Sequence, residues 1–370
     1  MNKARFMLIS VMILLSFAGR VVTAQERKTA RDFLFIGIDP QTLNGGRNAD
    51  IYLVRSDGSR IANLTSTPLD SENHAVWSAD GKQIYFSRNS VAVYPGSTEE
   101  QSSTSFYVMD ISKEGEKTDE RLLFDVSDVV GQPMRVENWA LSPDDSMIVF
   151  MPTNDTLGGT YVIKVDGTNL FERLVKGVVN SSIRLQWSPD STEFAYIDLD
   201  CTASITNLCP YWTTVPYKEI DTLVGSNLDL MKRWHPDEVF LGFDYPNFTI
   251  QQGNKVILHD NHFTPTLAPN GDVIAYTTHN DANTTSQLVT YNLDAGQPSR
   301  ILTSEINGTI SFVQWSPDSQ KLAFVTTLTN GYEAVVYAVN TDGTGQVELL
   351  RREIFLDDTL AWRPDPTTKV

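Results

Sequence analysis

The side chains best suited to chemistry are few and scattered. The five histidines are His74, His235, His259, His262 and His279. Only His259 and His262 lie close together. With Asp260 between them they offer two imidazoles and a carboxylate to a metal. A third assured ligand is missing, and a polar loop accounts for the same residues, so no metal and no cofactor is expected. A serine hydrolase would need a Gly-x-Ser-x-Gly elbow, a zinc peptidase a His-Glu-x-x-His helix, and a phosphate binder a Gly-rich loop before a helix. The chain has none of these motifs. No catalytic residue is therefore assigned. Cys201 and Cys209 enclose "TASITNL", a spacing unsuited to a zinc knuckle. In an exported protein a disulfide between them is expected, two free thiols being the alternative.

Export is indicated by the first 24 residues. Lys3 and Arg5 precede an apolar run from Phe6 to Ala18, and Val22-Thr23-Ala24 offers small residues for cleavage before Gln25. The run is shorter than the roughly 20 residues a membrane-spanning helix needs. No stable membrane span is expected after cleavage. Loss of Lys3, Arg5 and Arg20 would take the net charge from −17 to −20. So acidic a protein is repelled by nucleic acid and by anionic membranes, and nucleic acid is excluded as a partner.

The other recurrent feature is a repeat. Trp77 begins "WSADGKQIYF", Leu141 "LSPDDSMIVF", Trp187 "WSPDSTEFAY", Leu267 "LAPNGDVIAY" and Trp315 "WSPDSQKLAF"; Trp234 begins a disguised copy, "WHPDEVFLGF", and Trp362 a short one, "WRPDP". Apolar residues stand seven and nine positions after each complete anchor, as on one face of a β-strand. The Pro-Asp or Asp-Gly between is turn chemistry. A second hairpin follows most copies, in Asp50 to Thr65, Gly159 to Val175, Gln287 to Thr303 and Ala334 to Leu350. Each repeat then supplies four antiparallel strands, one blade of a β-propeller.

The anchors lie 64, 46, 47, 33, 48 and 47 residues apart, mostly within the roughly 40–50 residues of such a blade. The longest interval holds Val91 to Ser105, read as a polar loop insertion. The 33-residue interval is tight, though "FTIQQGNKVILHD" makes a hairpin around Gly253-Asn254. Seven blades are favoured, with six the alternative if Trp234 is no anchor. The expected layout is a signal peptide at 1–24, a short linker at 25–30 and one propeller at 31–370. "FLFIGI", Phe33 to Ile38, and "LAWRPD", Leu360 to Asp365, would complete one blade from both ends of the chain.

The motifs "WSPD", "APNG" and "DG" in this order resemble the propeller repeats of the TolB family, above all "TPTLAPNGDVIAY", Thr264 to Tyr276, and "LAWRPD". The resemblance spans nearly all of residues 31 to 370. It implies a bacterial, periplasmic or secreted protein. The family's founding member carries an α/β domain ahead of a six-bladed propeller and serves an envelope complex. Here nothing between the leader and the first strand would form that domain, so the propeller module alone is similar. Six Asn-x-Ser/Thr sequons, at Asn63, Asn154, Asn180, Asn247, Asn283 and Asn307, then reflect Asn- and Thr-rich loops rather than glycans. The motif acids resemble the Asp-boxes of sialidase propellers, which are structural turns. The anchor tryptophans are read as core filling between blades, not as a sugar-binding row.

A site would lie where the innermost strands begin at one face of the central channel. Three residues before each anchor stand His74, Asn138, Arg184, Met231, Thr264, Phe312 and Thr359. These differ from repeat to repeat while the frame is kept. One cation, one imidazole and two apolar groups suit a protein or cell-envelope ligand. The alternative is a propeller hydrolase or lyase acting on a sugar or lactone in the channel.

Overall fold

The computed structural model describes residues 31–38, 48–93, 100–152, 159–174, 185–198, 209–215, 222–223, 227–244, 247–260, 263–280, 284–293, 297–328, 334–352 and 360–365. Strands dominate, as the alternating apolar pattern requires. The first three are β1 (Asp32–Ile38), β2 (Ala49–Arg55) and β3 (Ile61–Asn63). A sheet follows from β4 (Ser71–Trp77), β5 (Gln83–Val93), β6 (Glu100–Ile111) and β7 (Lys117–Asp125), then a short helix, α1 (Val126–Val130). The next is β8 (Val136–Leu141), β9 (Met147–Pro152), β10 (Gly159–Lys164) and β11 (Phe171–Leu174). The fourth is β12 (Leu185–Trp187), β13 (Glu193–Asp198), β14 (Cys209–Thr214) and β15 (Thr222–Leu223).

Helix α2 (Asn227–Trp234) comes before β16 (Val239–Asp244), β17 (Asn247–Gln252) and β18 (Lys255–Asp260). The sixth sheet is β19 (Phe263–Leu267), β20 (Val273–His279), β21 (Thr285–Asn292) and β22 (Gln297–Ile301), with β23 (Ile306–Asn307) beside β21. The seventh is β24 (Thr309–Trp315), β25 (Lys321–Thr327), β26 (Ala334–Asn340) and β27 (Val347–Arg352). Last comes β28 (Leu360–Trp362).

The described residues thus form seven antiparallel sheets, each ordered along the chain from inside to outside. Strand β28 is the exception to sequence order. It pairs with β1, aligning Phe33 with Trp362, Leu34 with Ala361 and Phe35 with Leu360. Neighbouring sheets meet through their first strands: β28 touches β4, β4 touches β8, β8 touches β12, β16 touches β19, β19 touches β24, and β24 touches β28. Helix α2 bridges β14 and β16 in the remaining gap. The circuit closes on itself, which makes the molecule an all-β propeller.

Two expectations are corrected. Val91 to Ser105 is not a polar loop insertion: β5 runs on to Val93 and β6 starts at Glu100, pairing Ser90 with Ser103 and Val93 with Glu100. The described part is a two-stranded ribbon, exposed at Val91 and buried from Ser103 to Ser105. Trp234 is not on an innermost strand but at the end of α2. "NLDLMKRW" has no β-branched residue and is rich in helix formers. Asp229 in its first turn and Lys232 and Arg233 in its last suit the helix dipole. The sheet behind it keeps three strands, which explains the short 33-residue interval.

The core lies between the sheets. Leu34, Ile36, Ile51 and Leu53 of the first sheet pack with Ile84, Phe86 and Met109 of the second. Phe33, Phe35 and Tyr52, on the other face, pack with Ala323, Val325 and Val336 of the seventh. The first sheet therefore buries both faces, as radial stacking demands.

Candidate binding rim

The repeat motif is consumed by scaffolding. The indole N–H of Trp77 donates to the carbonyl of Ala361 at 3.1 Å, that of Trp187 to Ala140 at 3.0 Å, that of Trp315 to Thr266 at 3.1 Å and that of Trp362 to Gln314 at 3.0 Å. Every acceptor is the residue just before the anchor of the preceding sheet. These tryptophans latch sheet to sheet and stay nearly buried.

The motif serines and acids close the turns. Ser78, Ser142, Ser188 and Ser316 donate to Asp80, Asp144, Asp190 and Asp318 at 2.6–2.9 Å. The same hydroxyls accept the N–H five residues on, each at 2.9 Å. Four residues after the anchor the backbone turns left-handed, at Gly81, Asp145, Ser191, Gly271 and Ser319. Turns also touch one another: the Ala79 N–H reaches Asp145 at 2.9 Å, Asp144 N–H reaches Ser191 Oγ at 3.1 Å, and Asn270 N–H reaches Ser319 Oγ at 3.1 Å.

The opposite end of the innermost strands is irregular. Pairing shifts register between Glu72 and His74 in β4, Val136 and Asn138 in β8, Phe263 and Thr266 in β19, and Ser311 and Gln314 in β24. In each case one extra residue enters the inner strand. Such bulges bend a strand and re-aim its side chains. They fall within two to four residues of the anchor, where the variable rim positions were expected. The β5–β6 ribbon rises from this end, since β4 begins at Ser71 opposite Asn89.

His74 is half-buried on the β4 bulge, its ring edge-on to Trp139 at 5.0 Å. Asn138 precedes that tryptophan in sequence and sits at the register shift in β8. Thr264 lies in the β19 bulge, where its backbone alone is described. Phe312 takes a left-handed φ of 50° in β24 and packs against the core shared by the seventh and first sheets, which makes it part support, part surface. Met231 departs from expectation. It is on α2, buried with Leu230, Phe240 and Ala195, and presents no surface at a strand start. Arg184, Thr359, Cys201 and His262 lie outside the described residues, as do residues 1–30, where the leader was expected. Of Cys209 and His259 the backbone is described, in β14 and β18. Of the sequon asparagines, Asn63 uses its amide to bond Asp50 Oδ2 at 2.8 Å.

Sequence reasoning missed a buried ionic cluster near the same end. Glu72, fully buried, accepts from Arg88 Nε at 2.7 Å and from Thr67 Oγ1 at 3.1 Å. Arg88 continues to Glu120 at 2.9 Å and covers the Tyr107 ring at 4.4 Å. Burial lifts the Glu72 carboxyl above its usual range against the pull of Arg88. At Arg88 the two carboxylates outweigh burial and hold the guanidinium protonated. The available signal was a lone Arg in the apolar strand "IYFSRNS". Among the described residues no three His, Cys, Asp or Glu side chains cluster to hold a metal, and no helix is long and apolar enough to cross a membrane.

No family model matches the chain, and no curated protein matches it. Among solved structures, TolB from Acinetobacter baumannii is similar over 90% of this chain and 67% of its own, at 14% identity and a TM-score of 0.49. A periplasmic gluconolactonase from Pseudomonas aeruginosa is similar over 90% and 99%, at 12% identity and a TM-score of 0.47. A prolyl endopeptidase is similar over 78% of this chain and 51% of its own, at 14% identity and a TM-score of 0.44. These likenesses concern fold. TolB propellers stand among the structural neighbours of this chain, as the repeat motifs led one to expect.

Proposed function

We propose that this chain is an exported propeller, periplasmic or secreted, that binds a protein or cell-envelope ligand at the bulged end of its ring and performs no reaction there. The observation that supports this most is the shared register break. Four inner strands admit one extra residue at the end where side chains diverge from repeat to repeat, while the opposite end is held by repeated turn bonds. His74 and Asn138 would contribute a mixed polar surface beside Trp139, with Arg184, Thr264, Phe312 and Thr359 continuing it around the channel. The β5–β6 ribbon enlarges the same face, with Val91 exposed on it.

The test is affinity capture from envelope extracts with the parent and the variants His74→Glu, Val91→Glu and Ile61→Ser. Ile61 lies on the outermost strand β3 and serves as the control. The reading expects a partner held by the parent and by Ile61→Ser and lost with His74→Glu and Val91→Glu. Equal recovery by all four proteins contradicts it, and turnover of a gluconolactone by the purified chain contradicts its non-catalytic part.

A further inference from the structure

Two of the segments that carry the chain from one sheet to the next share the tripeptide Leu-Thr-Ser, at Leu64 to Ser66 before β4 and at Leu302 to Ser304 before β24. Both begin alike. The Leu64 N–H donates to the Ile51 carbonyl and the Leu302 N–H to the Leu288 carbonyl, each at 2.8 Å. Thr65 Oγ1 accepts the Ile51 N–H at 3.1 Å, and Thr303 Oγ1 accepts the Leu288 N–H at 3.0 Å. Two residues after the threonine they part. Thr67 is spent inside: its N–H donates to Asp50 at 3.1 Å and its hydroxyl to Glu72 at 3.1 Å. The matching residue is Glu305, and Gln287 and Ile310 stand where Asp50 and Glu72 do. The carboxylates that draw Thr67 inward are thus missing at both positions. Burying Glu305 without a partner would be costly, and it stays exposed.

A cleft of about 420 Å³ opens there against β26 and β27, the outer strands of the seventh sheet. The volume lies within the roughly 300–1,000 Å³ of small-molecule pockets. Its polar groups are within reach of a ligand. Ser304, Glu305 and Asn307 are exposed and Gln346 is half-buried. Among the described residues none of these four side chains has a bonded partner. Leu328 and Tyr337, both half-buried, add an apolar wall. Arg351 also lines the cleft, but it is closed on Glu348 in a two-bond pair at 3.0 and 2.8 Å. The charge without a counter-ion is therefore that of Glu305.

This set of groups selects an organic cation. One carboxylate with neutral oxygens falls short of the several anionic oxygens a divalent metal takes. An anion would meet Glu305 in a chain of net charge −17. An ammonium has three N–H donors and no acceptor. Glu305 supplies its counter-charge, and the oxygens of Ser304, Asn307 and Gln346 supply further acceptors. A lone exposed ion pair contributes little, so the apolar wall must hold an alkyl stem as well.

We propose that this cleft binds a primary ammonium at the end of an alkyl stem, as carried by a lysine side chain or a short diamine. It lies toward the outside of the ring and does not depend on the role of the channel rim. The test is calorimetric titration of the full chain at physiological ionic strength. Nα-acetyl-lysine amide and cadaverine are the cationic probes, and Nα,Nε-diacetyl-lysine amide is the neutral counterpart. At least one cationic probe should bind with a Kd of about 1 mM or tighter, and the neutral one roughly tenfold more weakly or worse. Tighter binding of the lysine derivative identifies a protein side chain as the source, and tighter binding of cadaverine a free diamine. Glu305→Gln, at an exposed position with no bond to lose, should weaken the cation by roughly tenfold or more. Gln346→Ala should weaken it by a smaller factor. Glu114→Gln removes the same charge from the exposed turn between β6 and β7 and should leave binding unchanged. The proposal is overturned if neither cationic probe binds, if the neutral probe binds equally, if Glu305→Gln keeps the parent affinity, or if Glu114→Gln weakens binding as much as Glu305→Gln.

Discussion

An indole N–H buried between two sheets needs an acceptor, and for the anchors Trp77, Trp187, Trp315 and Trp362 it is the same backbone position each time. Removing the donor leaves a buried carbonyl unpaired, at a cost of about 1–3 kcal/mol. Trp187→Phe, which keeps an aromatic ring against Phe194, is expected to lower stability by about that amount in urea melts. The turn acids respond to pH. The Ser188 hydroxyl, then the Thr192 hydroxyl and backbone, hold the Asp190 carboxyl below the usual range. A carboxylate with a lowered folded pKa stabilises above its unfolded value, near 3.9, and that contribution fades as pH falls through the folded value. Ser188→Ala should therefore raise the Asp190 titration midpoint, read by carboxyl NMR, and make the protein unfold at a higher pH on acidification. At this scale the anchors Trp77, Trp187, Trp315 and Trp362 were legible as core from recurrence alone. Their acceptors were not, because each lies a whole sheet away in sequence and is a carbonyl that any residue type supplies.

Among the elements, α2 shows how one repeat can lose a strand and keep the ring. It approaches the fifth sheet so closely that a Cβ on Gly242 would lie 2.4 Å from Leu228 Cδ1 and 3.2 Å from the Leu228 backbone. Arg233 and Trp234 then hold the helix end to Glu193 of the fourth sheet, at 2.7 and 3.1 Å. Gly242→Val should push α2 outward and destabilise by about 1–3 kcal/mol, with the Trp234 fluorescence shifted red; an unchanged melt and spectrum would show that the helix is not seated there. The "WHPD" tetrad matched the repeat and misled, since local propensity in "NLDLMKRW" favoured helix over strand. The ribbon of β5 and β6 was hidden for the opposite reason: its Ser- and Thr-rich composition reads as loop, and only pairing across the hairpin gives it order. The bulges were not legible either, because an extra residue in one strand shows only against its partner.

For the whole molecule, closure decides stability. Arg31 forks between Asp318 at 2.8 Å and Asp365 at 3.1 Å, and Arg363 donates to the Gly81 carbonyl at 2.7 Å. These bonds tie the seventh, first and second sheets at the seam. At Gly81 itself, with φ 66°, a Cβ would lie 2.7 Å from the Pro364 carbonyl. Ending the chain before Leu360 removes buried Leu360 and Trp362 and should cost roughly 3–6 kcal/mol from lost apolar burial, seen as an earlier and broader thermal transition. The pairing of the two ends was legible from what each lacked, a partial repeat at one end and an isolated anchor strand at the other. The account rests most on the shared sheet, and amide hydrogen exchange measured on the full-length chain tests it most directly. Peptides covering Phe33–Phe35 and Leu360–Trp362 should be protected to the same degree and lose protection together on mild destabilisation. Rapid exchange at Leu360–Trp362 beside a protected Phe33–Phe35 would contradict it.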